Sequence, residues 1–119
     1  MDINNIEEGL NSIMELNGSL ATSLFDWKSG MVLGMVTNGS FNIELASAGN
    51  AEVVKAKMAT MKSLDLSGKI EDMMITLSDQ IHIIHVLKKT PELCLYVALD
   101  SDKSNLALAR MKLATIGNG

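Results

Sequence analysis

The sequence has one cysteine and one proline among its 119 residues, and aromatic residues make up only 3% of it. The single thiol, Cys94, cannot form an internal disulfide, so the fold depends on its core and not on covalent cross-links. Cys94 lies in an apolar alternating run, which favours a small buried side chain over a reactive thiol. With few aromatic rings, the core must be built from aliphatic residues and from the nine methionines, whose flexible thioethers fill irregular space.

Long apolar runs and clusters of basic residues are also absent from the sequence. No apolar run approaches the roughly 18 residues of a membrane-spanning helix, and the segment MDINNIEEGL lacks the basic and apolar regions of a signal peptide. We therefore expect a cytoplasmic protein without membrane insertion. The net charge is −4 and the lysines and arginines are scattered, so we do not expect nucleic-acid binding.

The sequence contains no recognisable phosphate, metal or catalytic motif. Gly30 and Gly34 flank a strand-like run and do not open a helix, so their amides cannot converge on a phosphate. His82 and His85 are three residues apart on a predicted strand and point to opposite faces, so we interpret each as a hydrogen-bonded core or interface histidine and not as a metal ligand. Cys94 beside either histidine is the one nucleophile and base pair within reach, but it would lie under a helix where no substrate enters. We predict a protein that is not an enzyme and that has no cofactor.

Aliphatic residues are abundant instead. Hydrophobic residues make up 47% of the chain and its mean hydropathy is +0.20, which is high for a small soluble protein. We expect residues 1–119 to form a single domain, because this length is enough to bury one core. The excess of apolar residues favours an oligomer in which a partner covers what the core leaves exposed.

Hydrophobic periodicity predicts the element order helix, two strands, helix, three strands, helix. The predicted elements are a helix over residues 3–17, strands over 20–27 and 31–37, a helix over 43–64, strands over 70–78, 81–88 and 93–100, and a helix over 105–116. Gly18 is expected to stop the first helix, and Ser101, Asp102 and Ser104 are the expected caps of the last one. Lys28-Ser29-Gly30 forms the predicted turn of the first hairpin.

The strand over 93–100 indicates how the elements are layered. Leu93, Leu95, Val97 and Leu99 point to one side, and Cys94, Tyr96 and Ala98 point to the other, so both of its faces are apolar. Such a strand lies in the middle of a sheet that is covered on both faces. The short loops between the last three strands make them antiparallel neighbours. We therefore predict an α+β fold with a five-stranded antiparallel sheet and helices on both faces.

The helix over 43–64 has an apolar sector roughly 160° wide, although one contact needs only a little over 100°. The excess lies along one edge of the sector, here called the side flank: Ala46, Val53, Lys57, Thr60 and Leu64. A symmetric partner helix would cover it. Lys57 and Asn50 interrupt the sector, and either snorkel at its rim or pair across an interface. The opposite side, here called the outer face, carries Leu45, Glu52, Lys55, Ala56 and Ala59, of which the alanines are also simply good helix formers.

The element order resembles that of the Roadblock and dynein light chain family over nearly the whole chain. Leu24-Phe25-Asp26 followed by Gly30-Met31-Val32-Leu33 is similar to the first hairpin of that family. The stretch from Asn105 to Arg110, NLALAR, resembles the start of its last helix. Among the family's branches, the chain looks most like the compact bacterial or archaeal members of the MglB type.

This resemblance implies a homodimer in which two central helices pack together and the first strands of the two meanders pair edge to edge. The strand residues expected at that interface are Met73, Ile75 and Leu77. Pairing would also protect an edge that carries few charges after Asp72. Members of the family regulate or scaffold small Ras-like GTPases, so the resemblance implies that the outer face receives such a GTPase. The alternative that the sequence leaves open is a light-chain-like adaptor with no effect on a GTPase.

Overall fold

The computed structural model describes the backbone of residues 1–119 and all side chains except that of Ile3. A 3-10 turn at Ile3–Asn5 precedes the first helix. The elements in chain order are α1 (Ile6–Met14), β1 (Ser19–Asp26), β2 (Val32–Thr37), α2 (Ile43–Ser63), β3 (Asp72–Thr76), β4 (Gln80–Val86), β5 (Leu93–Asp100) and α3 (Leu106–Asn118). This is the predicted order, and the fold class is confirmed.

The five strands form one antiparallel sheet in the order β2-β1-β5-β4-β3. Strand β5 is central, as its two apolar faces predict, and β2 and β3 are the edges. The first hairpin closes at Asp26, whose Oδ1 accepts hydrogen bonds from the Lys28 and Ser29 amides at 2.8 and 3.1 Å. Gly30 follows with φ at 78°, a conformation that glycine adopts without strain.

Alternation along the strands divides the buried residues into two apolar layers, one on each face of the sheet. The layer beneath α1 and α3 contains Leu10, Ile13, Leu24, Ile83, Leu87, Leu93, Leu95, Val97, Leu99, Ala109 and Leu113. The layer beneath α2 contains Ala21, Phe25, Ile43, Ala51, Val54, Ile84, Val86, Cys94, Tyr96 and Ala98. Each fully buried leucine or phenylalanine contributes about 1.5 to 3 kcal/mol relative to an exposed one, so both layers stabilise the fold.

Several predicted boundaries are wrong by a few residues. Helix α1 ends at Met14 and not at 17, and Gly18, with φ at 84°, belongs to the tight turn that leads into β1. Helix α3 is capped by Asn105, whose side chain accepts a hydrogen bond from the Leu108 amide at 3.1 Å, and not by Ser101, Asp102 or Ser104. Strand β3 is shorter than the predicted 70–78.

The end of α3 differs from the prediction for a packing reason. The helix continues through Gly117 to Asn118, although it was predicted to end at residue 116, before the glycine. A Cβ atom on Gly117 would lie 2.8 Å from Cδ2 of His85 and 3.3 Å from Cδ1 of Leu95. Glycine is therefore needed here for close approach of the helix to the sheet, and not as a helix stop.

Candidate partner-binding surfaces

Helix α2 lies over β1 and β2 and contacts them through a narrow buried face. That face consists of Ile43, Ser47, Asn50, Ala51 and Val54. At its centre, Ser47 Oγ donates a hydrogen bond to the carbonyl oxygen of Ile43 at 2.7 Å and lies 2.7 Å from Ser23 Oγ on β1. The helix begins at the Asn42 cap, whose side chain accepts a hydrogen bond from the Leu45 amide. In the rest of the predicted apolar sector Ala46, Met58 and Met61 are half-buried, and Val53 and Leu64 are exposed.

The side flank is the uncovered part. Val53 exposes 39% of its surface and Leu64 exposes 62%, while Ala46 is half-buried and Lys57 and Thr60 are exposed. The two polar residues that interrupt the apolar sector have different positions. Asn50 is buried against the sheet, and only Lys57 reaches solvent.

The contacts of α2 fix the direction in which the side flank points. Ser47 contacts β1 through Ser23, whereas Asn50 lies beside Tyr96 on β5, where it opposes the rise to about 12 that burial causes in the pKa of Tyr96. Because β5 lies between β1 and β4 in the sheet, the direction from Ser47 to Asn50 on the helix surface points toward β3. The side flank, which continues in that direction around the helix, therefore faces the β3 edge.

Next to the side flank, the same face of β4 and β3 is only partly covered. Met73 and Ile75 are half-buried there and pair in register with Ile84 and His82. His82 Nε2 donates a hydrogen bond to Gln80 Oε1 at 2.8 Å, and its Nδ1 accepts one from the Tyr96 hydroxyl at 3.2 Å. Burial lowers the pKa of His82. We call this region the step: it consists of the side flank of α2 together with Met73 and Ile75 of β3. His82, Gln80 and Tyr96 form a polar cluster at its base.

One buried polar atom beside this step is poorly paired. Among the described side chains, Nδ2 of Asn50 is buried and makes no hydrogen bond of good geometry. Asn50 nevertheless lies close enough to the Tyr96 hydroxyl to oppose the rise in its pKa.

Strand β3 provides the second element of the step, because it pairs with β4 alone and its other edge is free within this chain. Leu77, just after the strand, exposes 43% of its surface. The prediction overlooked Met74, which is also exposed but lies on the opposite face, between Asp72 and Thr76. On that face Arg110 of α3 binds Asp72 with Nε to Oδ2 at 2.8 Å. Strict alternation along β3 separates Met74 from Met73 and Ile75 and could have identified it.

The outer face of α2 points away from the sheet and is exposed along its length. Leu45 exposes 70% of its surface, and Ala56 and Ala59 are exposed one turn apart. Lys55 Nζ lies 3.6 Å from Glu52 Oε1 in an exposed ion pair. The face thus combines small apolar residues with charges of both signs.

The residues considered for catalysis are kept apart by the sheet. Cys94 pairs in register with Val86, while His82 pairs with Ala98, four residues further along β5. His85 lies on the other face, where its Nε2 contacts Asn118 Oδ1 at 3.2 Å. Burial raises the pKa of Cys94 to about 12, so its thiol is not a nucleophile at neutral pH. In the described part of the chain, no three acidic, histidine or cysteine residues are placed to bind a metal ion.

Comparison with solved structures shows which fold this is. Myxococcus xanthus MglB superposes with a TM-score of 0.83 at 12% identity, covering 98% of this chain and 84% of that one. A Roadblock/LC7 domain from Streptomyces avermitilis superposes with a TM-score of 0.77 at 10% identity, covering 92% and 88%. The chain has the Roadblock fold. The gliding protein MglB from Thermus thermophilus agrees, with a TM-score of 0.72, 16% identity and coverage of 97% and 90%.

These likenesses are structural, since the identities are low. No family model and no curated protein sequence matches the chain. The side flank and the outer face both lie on α2, and the β3 edge lies beside the side flank. No helix in the described residues is long and apolar enough to cross a membrane.

Proposed function

We propose that the chain forms a two-fold homodimer and that the dimer binds a small Ras-like GTPase, as a regulator or scaffold with no catalytic residues of its own. The observation that carries this proposal is the uncovered step formed by the side flank of α2 and the free edge of β3. The likeness of the fold to that of MglB supports the class of partner.

The dimer is proposed because the step leaves apolar side chains exposed and backbone hydrogen-bonding groups unpaired. Val53 and Leu64 on the side flank and Leu77 beside β3 are exposed apolar residues, and the β3 edge has unpaired backbone groups. A two-fold axis beside β3 would pair the two β3 strands and bring the two side flanks together. The same contact would bury Met73 and Ile75 completely.

Light scattering tests the dimer directly. The parent protein at micromolar concentration should show a mass of twice 12.8 kDa. Val53→Asp should dissociate it, because a desolvated carboxylate would meet its symmetry copy. Glu52→Ala, one residue away on the outer face, is the matched control and should remain dimeric. A parent protein that is monomeric at that concentration would overturn the proposal.

The outer face is the proposed site for the GTPase. In the dimer, two copies of Leu45, Ala56 and Ala59 would form one composite surface. Small apolar residues permit close approach at low desolvation cost, while Glu52 and Lys55 set orientation and association rate. The helices would act by holding the GTPase's own switch regions in one arrangement. One GTPase per dimer is expected, since the composite site spans the axis.

Binding is tested by titrating the protein against Ras-like GTPases from the same organism, loaded with GDP or with a non-hydrolysable GTP analogue. Ala56→Arg and Ala59→Arg should each weaken binding at least tenfold while leaving the dimer intact. Ala107→Arg is the control, because Ala107 is exposed on α3, which covers the opposite face of the sheet. If both outer-face variants bind as tightly as the parent, the site lies elsewhere.

The nucleotide dependence separates the two forms of the proposal. A regulator binds one nucleotide state more tightly or changes the rate of hydrolysis. Equal affinity for both states, with no change in hydrolysis, would replace the regulator with an adaptor resembling a dynein light chain.

A further inference from the structure

A cavity of about 550 Å³ opens at the end of the sheet opposite His82, beneath the last turns of α2. Its apolar lining comes from five separate segments: Trp27 after β1, Met58 and Met61 on α2, Ile70 before β3, Val86 at the end of β4, and Pro91 before β5. Volumes between about 300 and 1,000 Å³ are typical of small-molecule sites. The space is larger than one inserted side chain needs, so it suits a whole small ligand.

The indole of Trp27 forms a fixed wall of the cavity. Its Nε1 donates a hydrogen bond to the Pro91 carbonyl oxygen at 2.8 Å, which orients the ring. The facing walls, Met58 and Met61, are flexible and polarisable, and such side chains adapt to ligands of different shape. One rigid aromatic wall and two adaptable ones favour an aliphatic or aromatic ligand body over a polar one.

The rim carries more positive than negative charge, although the chain as a whole has a net charge of −4. Lys28, Lys69 and Lys88 contribute from three different segments, against Glu71 and Glu92. Lys28 Nζ lies 5.5 Å from the centre of the Trp27 ring, which holds its charge at the mouth of the cavity. An anionic head group at the mouth would meet these ammonium groups.

We propose that this cavity binds a small amphipathic anion, with its aliphatic or aromatic body against Trp27, Met58 and Met61 and its head group among Lys28, Lys69 and Lys88. The site is formed by one chain and does not depend on the homodimer or on a GTPase. Its occupancy would be communicated to α2, because Met58 and Met61 belong to that helix.

Trp27 is the only tryptophan of the chain, so its fluorescence reports on the cavity alone. Purified protein is titrated with decanoate below its micelle concentration, and in parallel with decanol and decylammonium, which have the same body but a neutral or positive head. Decanoate should give a saturable change in Trp27 emission. Decanol and decylammonium should bind at least fivefold more weakly. The oligomeric state is measured in the same samples, so failure here is distinguishable from failure of the dimer.

Two charge reversals complete the test. Lys69→Glu should weaken decanoate binding about fivefold, the scale of a solvent-exposed charge pair, and should leave decanol unchanged. Lys103→Glu, an exposed residue away from the cavity, is the matched control and should affect neither ligand. Equal affinity for all three head groups, an unchanged Lys69→Glu variant, or emission that never saturates would each overturn the proposal.

Discussion

The hydrogen-bond relay between α2 and β1 makes a prediction that can be worked out atom by atom. Ser47 has one hydroxyl proton and donates it to the Ile43 carbonyl oxygen at 2.7 Å. The 2.7 Å contact between Ser23 Oγ and Ser47 Oγ must then be donated by Ser23. Both hydroxyls are fully buried, so the chain runs in one direction, from Ser23 through Ser47 to Ile43.

This direction makes the two alanine substitutions unequal. Ser47→Ala removes the acceptor of Ser23 and leaves a buried hydroxyl proton unpaired, which costs about 1 to 3 kcal/mol. Alanine's better helix propensity offsets about 0.5 kcal/mol of this. Ser23→Ala leaves Ser47 bonded to Ile43 and should cost less than about 1 kcal/mol. The double variant leaves no donor without an acceptor. Its loss in free energy of unfolding should therefore be less than the sum of the losses in the two single variants.

Urea denaturation measures all three variants at one fixed protein concentration, because association changes apparent stability. The midpoints should shift with unchanged slope, and the order of destabilisation should be Ser47→Ala above Ser23→Ala. Ala48→Ser at an exposed position of the same helix isolates the propensity contribution. Equal and additive costs for the two single variants would refute the directed relay.

Four further predictions follow from burial and charge. Leu95→Asp should cost several kcal/mol and unfold the chain, because it buries a charge in the central strand, while Lys103→Ala should leave the circular dichroism melting curve unchanged. Cys94 should not react with a thiol reagent until urea unfolds the protein, since it is fully buried and its pKa is raised to about 12. Because the pKa of His82 is lowered from 6.5, stability should be constant above that pH and fall as the pH decreases below it, and this fall should shrink in His82→Gln. Arg110→Ala should leave the urea midpoint within error, because the ion pair with Asp72 is exposed on the arginine side.

The sequence was sufficient for the layered architecture because its strongest signals are local. The two-sided alternation of β5 and the short loops around β4 determine which strands are neighbours and which faces are buried. The side flank could also be predicted from the sequence, since helical spacing alone indicates an apolar sector wider than one contact requires.

Features that depend on distant residues were missed. The last helix was predicted to end before Gly117, and only the approach of His85 from β4 explains why a glycine lies inside the helix there. The cavity at Trp27 is assembled from five segments, so no pattern within any one of them marks it. The orientation of the side flank toward β3 likewise rests on the contacts of Ser47 and Asn50, which exist only in the folded chain.

The central position of β5 determines how different parts of the molecule open to solvent. Because β5 belongs to both apolar layers, we expect its amides to exchange their hydrogens only when the whole chain unfolds. Strand β3 pairs with a single strand and is only partly covered, so its amides should exchange through small local openings. The central strand and this edge strand are therefore separated by β4 alone, and a second chain added at β3 would slow exchange there first while leaving β5 unchanged.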